Sequence, residues 1–204
     1  MDSHQVFGLL GGACALLGFV AYIFDLLRLK DQSKATKSTW LIWTINMLIL
    51  TVSYWFAGAR NTIYLPMAFL TGNIVMLALI LRYGRSGFSP LDKICFAGAI
   101  ISLLLWAVTY NPISTVIMNR IIAWIGAVPT IRQAFLDPKS ENRLAWGFFN
   151  FGTIVSIFAI EDWTMFVEPW FTLNVAALNG SIFFLSIRGR RTDHKSSEKE
   201  DKNN

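Results

Sequence analysis

The segment LDPKSENRLAW, residues 136–146, lies between two long apolar runs and repeats the grammar of an earlier one, LKDQSKATKSTW, residues 29–40. In each, an Asp (Asp137, Asp31) is followed six positions later by a base (Arg143, Lys37) and three further on by a Trp (Trp146, Trp40). Both read as short polar turns between apolar helices. Sliding the chain against itself by 106 residues superposes the two turns, and the same ungapped shift carries Asn73 onto Asn179 and Arg82 onto Arg188.

The rest of the composition sets those turns in context. The 204 residues are 54% hydrophobic and 15% charged, against about 25% charged in an ordinary soluble domain. Seven apolar stretches emerge, at 6–27, 39–57, 63–81, 94–110, 113–135, 144–160 and 165–187. A membrane-spanning helix needs about 20 mostly apolar residues, with a range of about 17–25. The runs are continuous rather than alternating, so helices are expected and a barrel is not. The fold class predicted is an all-α integral membrane protein of seven spans. The start, MDSHQ, places no base ahead of the first run, and that run is too long for a signal-peptide core, so it is expected to remain as a span. Cys14 and Cys95 fall in apolar segments with no metal or redox spacing and read as small buried hydrophobes.

Charge gives an orientation. Sixteen of the 18 Lys and Arg residues follow the first, third, fifth and seventh runs; Arg60 alone lies on the opposite side and Arg120 lies within a run. Bases remain cytoplasmic, so the N-terminus is predicted outside and the C-terminus inside, with Glu161, Asp162 and Glu168 at the outer face. A multi-pass protein of a bacterial inner membrane is expected. The net charge of +5 is then the cytoplasmic excess of a membrane protein, and no nucleic-acid partner is expected. The tail, 188–204, is polar, mixed in charge and free of aromatics, and reads as disordered.

Under the shift of 106, runs one to three fall on runs five to seven and the fourth is left over. Two three-span units joined directly would be inverted; a single span between them restores a common orientation. The organisation predicted is 3+1+3, with a first repeat at 6–81, a linker span at 94–110, a second repeat at 113–187 and the tail.

With those residues in place, the chain resembles the PQ-loop superfamily, including the SWEET-type sugar transporters, over about residues 6–188. The family carries a Pro, often followed by Gln, in the first helix of each repeat. Here the second repeat has Pro129 followed by Thr130, and the first has Ile23 at the position aligned with Pro129. In the sugar transporters an asparagine pair from the third and seventh helices lines the substrate site, and Asn73 and Asn179 match it. The resemblance implies a carrier for a small polar solute, foremost a sugar. The KDEL receptor shares the architecture without being a solute carrier, so the fold leaves a receptor or assembly protein open.

Several residues are candidates for binding. Asn73 and Asn179 sit mid-span, where an amide either faces a solute or bridges helices, the bridge being worth about 0.6–2 kcal/mol. Their symmetry favours the site. Asn46 and Asn150 are similar points in spans two and six that miss alignment by two residues. Arg120, in TVIMNRIIAW, lies about 10 Å below the outer face at 1.5 Å per residue. It has two readings: an intramembrane charge with a partner, either Glu161, Glu168 or an anionic solute group, or a snorkelling side chain. If the ligand is a neutral sugar, Arg120 is expected to pair with an acid. Asp25 is expected to pair locally with Arg28. Trp40 and Trp146 read as an interfacial belt, and Trp43, Trp106 and Trp124 as deeper rings able to stack on a ligand. Pro129 removes one helix hydrogen bond and is a candidate hinge.

Enzyme chemistry has no support in the pattern. His4 and His194 lie at the polar ends, and no metal spacing, phosphate loop or Ser–His pair occurs. No catalytic residue, metal or cofactor is expected. Gly8, Gly11, Gly12 and Gly18 suit close helix packing. The partners expected are a small polar solute and the lipid bilayer, and a homo-oligomer is compatible with the sequence.

Overall fold

The computed structural model describes residues 1–29, 37–83 and 90–201. The first-copy turn, residues 30–36, and the side chains of Trp106, Pro129 and the stretch 189–201 lie outside the described residues. Among the described residues all regular structure is helical: α1 (Ser3–Leu29), α2 (Lys37–Phe56), α3 (Tyr64–Tyr83), α4 (Pro90–Thr109), α5 (Pro112–Leu136), α6 (Arg143–Ile157) and α7 (Val167–Asp201). A single 3₁₀ turn, Pro138–Ser140, joins α5 to α6.

Four of these helices are long and apolar enough to cross a membrane: α1 over Ser3–Arg28, α3, α5, and α7 over Val167–Arg188. In α2 the apolar helix is the shorter Trp40–Phe56. The apolar run at 144–160 overstates α6, which stops after 15 residues at Ile157, about 22 Å at 1.5 Å per residue. Phe158 to Ile160 close that end with tight backbone turns. Large apolar side chains stay exposed on the outward faces, among them Leu10, Leu48, Ile74, Leu104, Leu144 and Phe184. A shell of that kind is compatible with a membrane protein.

Local signals place the helix ends. Tyr110 and Asn111 turn the chain between α4 and α5; Tyr110 takes a left-handed φ of 50°, and Asn111 caps α5 through Ile113 N–H, followed by Pro112 in the first turn. Asn142 caps α6 by accepting from Ala145 N–H. Asp137, the acid of the repeated polar turn, ends α5 and caps the 3₁₀ turn through Lys139 N–H. Helix α7 continues past Arg188 to Asp201, where the composition of 188–204 predicts disorder. The helix needs no new nucleus there, and each added residue contributes one more backbone bond.

Helix α1 packs on α3 and α6, α2 on α3 and α5, α4 on α5 and α2, and α7 on α5 and α6. The most extensive packing is that of α1 on α6. A Cβ on Gly152 would lie 2.6 Å from the carbonyl oxygen of Gly11, and one on Gly11 would lie 2.7 Å from that of Gly152 and would also strike Ser156 Oγ. Gly8 and Gly12 bring α1 close to the backbone of Asn61, just before α3, and of Tyr64 at its start, and Gly18 seats against the ring of Phe149. The N-terminal glycines thus serve close packing, as their sequence spacing suggests. We expect Gly11→Val to destabilise the protein by about 1–3 kcal/mol through overpacking. Gly126→Ala, whose added Cβ meets nothing nearer than 3.5 Å, should be neutral or stabilising. Thermal unfolding of both variants in detergent micelles checks the pair.

Candidate functional site

Between the helices lies a partly open cavity of about 190 Å³, room for roughly six waters at 30 Å³ each. Its wall draws on all seven helices, with Phe19 and Tyr22 from α1 and Cys95 from α4. Trp40, Trp43, Asn46 and Met47 come from α2, Phe69 and Asn73 from α3, Arg120 and Thr130 from α5, Trp146 and Phe149 from α6, and Phe171, Val175 and Asn179 from α7. Spacings of three and four put the α2, α3, α6 and α7 members on common helix faces. Four pairs of wall residues are separated by 106 positions: Trp40 and Trp146, Trp43 and Phe149, Phe69 and Val175, and Asn73 and Asn179.

The aromatic part of the wall is rigid. Phe19, Phe69 and Phe149 form a triangle with ring centroids 4.9 to 5.8 Å apart, and Trp146 lies edge-on to Phe149 at 5.6 Å. Trp40 and Trp146, which the sequence suggests for an interfacial belt, turn inward onto the cavity instead. Trp40 rests edge-on against Tyr22, and Trp146 Nε1 donates to Glu141 Oε2 at 2.9 Å. A Trp one turn inside a helix faces whatever its stripe faces, and here that stripe is buried.

Both predicted asparagines face the cavity. Asn73 Nδ2 donates back to Phe69 O at 2.7 Å, while its Oδ1 is buried with no hydrogen-bond partner. Asn179 Nδ2 donates to Thr153 Oγ1 at 3.2 Å and lies 3.5 Å from Phe149 O. Asn46 also lines the wall. Asn150 is not on it: its Oδ1 lies against the backbone at Gly180. Trp124 is likewise turned aside, donating from Nε1 to Asn174 Oδ1 at 3.3 Å. Pro129 lies within α5, which is continuous from Pro112 to Leu136, and its neighbour Thr130 reaches the cavity.

Arg120 neither snorkels nor pairs with an acid among the described residues. It is 4% exposed, so it does not snorkel, and neither expected acid pairs with it. Glu168 accepts from Thr62 Oγ1 at 2.8 Å and from Arg60 N–H at 3.2 Å, and Glu161 accepts from Asn61 Nδ2 at 3.1 Å. The guanidinium instead donates from one terminal nitrogen to Asn119 Oδ1 at 2.5 Å and lies 5.0 Å above the ring of Phe171. Its Nε is buried without a partner. Asn119 in turn donates to both the side-chain and main-chain oxygens of Asn46, at 2.7 and 2.8 Å. That donation fixes its amide so that the oxygen faces the guanidinium. A cation over an aromatic ring contributes about 2 kcal/mol when desolvated, whereas burying an unpaired charge costs several kcal/mol. The wall by itself leaves this cation undercompensated.

Asn119 is a residue that sequence reasoning missed. The signal was present, since an amide in an apolar run is the same cue that singled out Asn73. It was eclipsed by the charge beside it.

Two clasps close the ends of the bundle. At one end Asn142, in the turn before α6, donates to Asp25 Oδ2 at 2.6 Å and to Ala21 O at 3.2 Å on α1. Asp25 thus takes Asn142 rather than the expected Arg28, because the α5–α6 turn folds directly over the end of α1. At the other end Glu168, in the first turn of α7, holds the α2–α3 connection through Arg60 and Thr62, and Tyr54 extends the chain by its 2.7 Å bond to Thr62. A carboxylate at a helix N-terminus is favoured there by the helix dipole.

No family model, characterised protein or solved structure matches the chain.

Burial pushes the Glu141 carboxyl above the ordinary glutamate range, partly opposed by the hydrogen bond from Trp146. A carboxyl raised on folding binds its proton more tightly in the folded state. Stability therefore falls as pH rises from the unfolded glutamate pKa through the raised folded value. We expect the wild-type melting temperature to decline across that window and Glu141→Gln to flatten the decline, as read by thermal unfolding from pH 4 upward.

Proposed function

We propose that this chain is a membrane carrier of the PQ-loop and SWEET-like kind. Seven spans in a 3+1+3 arrangement pass a small polar solute by alternating access around the central cavity. The observation that carries the reading is the cavity wall. Four pairs of residues, each offset by the same 106 positions first suggested by the polar turns, line one cavity. Residues repeated only for packing have no reason to converge on a void.

The helix contacts support the same reading. Exchanging α1, α2 and α3 for α5, α6 and α7 turns the α1–α3 contact into α5–α7, α2–α3 into α6–α7, and α1–α6 into α5–α2. That is the pattern expected of two parallel repeats about an axis along the membrane normal, with α4 as the linker. The proposed orientation keeps the N-terminus outside and the basic turns cytoplasmic.

In this mechanism the clasps alternate. The Asn142–Asp25 contact and the Glu168–Arg60–Thr62 contact each join one repeat to the other, at opposite ends of the bundle. Opening one while the other holds exposes the cavity to one side at a time. The solute replaces the hydrogen bonds it loses to water with the amides of Asn73 and Asn179. The buried Asn73 Oδ1 awaits a donor. A sugar is the solute that the family resemblance implies.

Reconstitution tests the proposal. The full chain in liposomes should take up at least one member of a panel of labelled sugars, organic acids, amino acids and vitamins. Asn73→Ala and Asn179→Ala should each lower that uptake tenfold or more while leaving the melting temperature within a few degrees. Uptake unchanged in both variants removes the site. A chain that binds solutes but moves none across the bilayer is a receptor on the same scaffold.

A further inference from the structure

The buried cation in the cavity wall restricts the chemistry of the solute. Arg120 is 4% exposed, and its Nε has no hydrogen-bond partner. The groups that meet the guanidinium are the Asn119 amide oxygen and the face of Phe171, neither of which carries a compensating charge. The two acids expected from the sequence, Glu161 and Glu168, are both committed to the α2–α3 connection and its neighbour Asn61. A structural arginine in an apolar span is normally paired; this one is held in place by the Asn46–Asn119 relay, lines the cavity and keeps a buried, unused donor.

A second orphan belongs to another residue of the same wall. Asn73 Oδ1 is a buried acceptor without a donor. One wall residue thus requires an acceptor, preferably an anionic one, and another requires a hydroxyl or amino donor. Between them the wall is aromatic and aliphatic, with Trp43, Phe69, Phe149 and Phe171 among its members. Arginine is the side chain best shaped for a carboxylate or phosphate, because its planar fork presents parallel N–H donors.

We propose that the solute is a small organic anion, a monomeric carboxylate bearing a hydroxyl or amino group. Its carboxylate docks on Arg120, its donor reaches Asn73 Oδ1, and its body lies against the aromatic wall. The inference rests on the carrier reading for the site and departs from a neutral sugar. Asn119 is a positioning residue: it accepts from Arg120, and its own amide is locked by Asn46, so the guanidinium keeps one orientation whether the cavity is full or empty.

Matched pairs of probes test this, using the full-length protein in detergent for binding and in liposomes for exchange. The pairs are glucuronate against glucose, and 3-phenyllactate against 3-phenyl-1,2-propanediol, each differing chiefly in the carboxylate. The anionic member should raise the melting temperature and bind at least tenfold more tightly than its neutral partner. Arg120→Gln should erase that preference, and Arg120→Lys, which keeps the charge and loses the fork, should retain part of it. Asn119→Ala should weaken the preference without abolishing binding, whereas a packing role alone would lower the melting temperature and leave the ratio between the paired probes unchanged. Neutral probes binding as well as anionic ones, no binding within either pair, or an unaltered preference in Arg120→Gln overturns the inference. The carrier reading fails separately: charge-selective binding without exchange across the bilayer removes transport and keeps the anion site. Exchange of neutral solutes unaffected by Arg120→Gln does the reverse.

Discussion

The fold hangs on the crossing of α1 over α6, where the backbones at Gly11 and Gly152 meet with no side chain between them. In lipid, apolar side chains gain little by touching one another, because hydrocarbon surrounds them either way. Helices associate where small residues let backbones approach and where polar groups find partners. The glycines at 8, 11, 12 and 18 give α1 such a surface toward both α3 and α6. Through that helix the front and rear of the chain are held in one body, and the aromatic triangle of Phe19, Phe69 and Phe149 forms where the three helices meet.

Close packing on that side leaves the polar groups to organise the other. The bond from Asn119 to Asn46 ties α5 to α2, and Thr153 ties α6 to α7 through Asn179. Because each buried amide must be satisfied or be costly, their partners limit how the helices can rotate. Residues left unsatisfied after this ordering are informative for the same reason. Arg120 Nε and Asn73 Oδ1 remain unsatisfied, both on residues of the cavity wall.

The clasps at the two ends have a different character from the middle. They are built from single carboxylates, Asp25 and Glu168, accepting from neutral donors on facing turns. Such bonds can be exchanged for water without exposing a core. The centre cannot open so cheaply, since its rings are packed and its glycines leave no slack. The molecule is thus packed tightly in the middle and joined at its ends by a few exchangeable hydrogen bonds.

Much of this is legible in the amino-acid sequence. Hydropathy is a local property, so the helices can be placed from the apolar runs, although the short α6 shows that a run of apolar letters can outlast its helix. The turn motif and its shift of 106 bring Asn73 and Asn179 together, because a repeat preserves which face of a helix looks inward. The tertiary structure alone decided the partners. Trp40 and Trp146 sit at helix starts where an interfacial belt is the ordinary reading, and only the packing of neighbouring helices turns them onto the cavity. Arg120 can be placed in a span from sequence, yet its company cannot: Asn119 is its neighbour in the chain, Asn46 lies 73 residues from Asn119, and Glu161 and Glu168 are taken by another connection. Periodicity says which residues share a face. What that face meets depends on contacts between distant segments, and the charge of a binding site is set by those contacts.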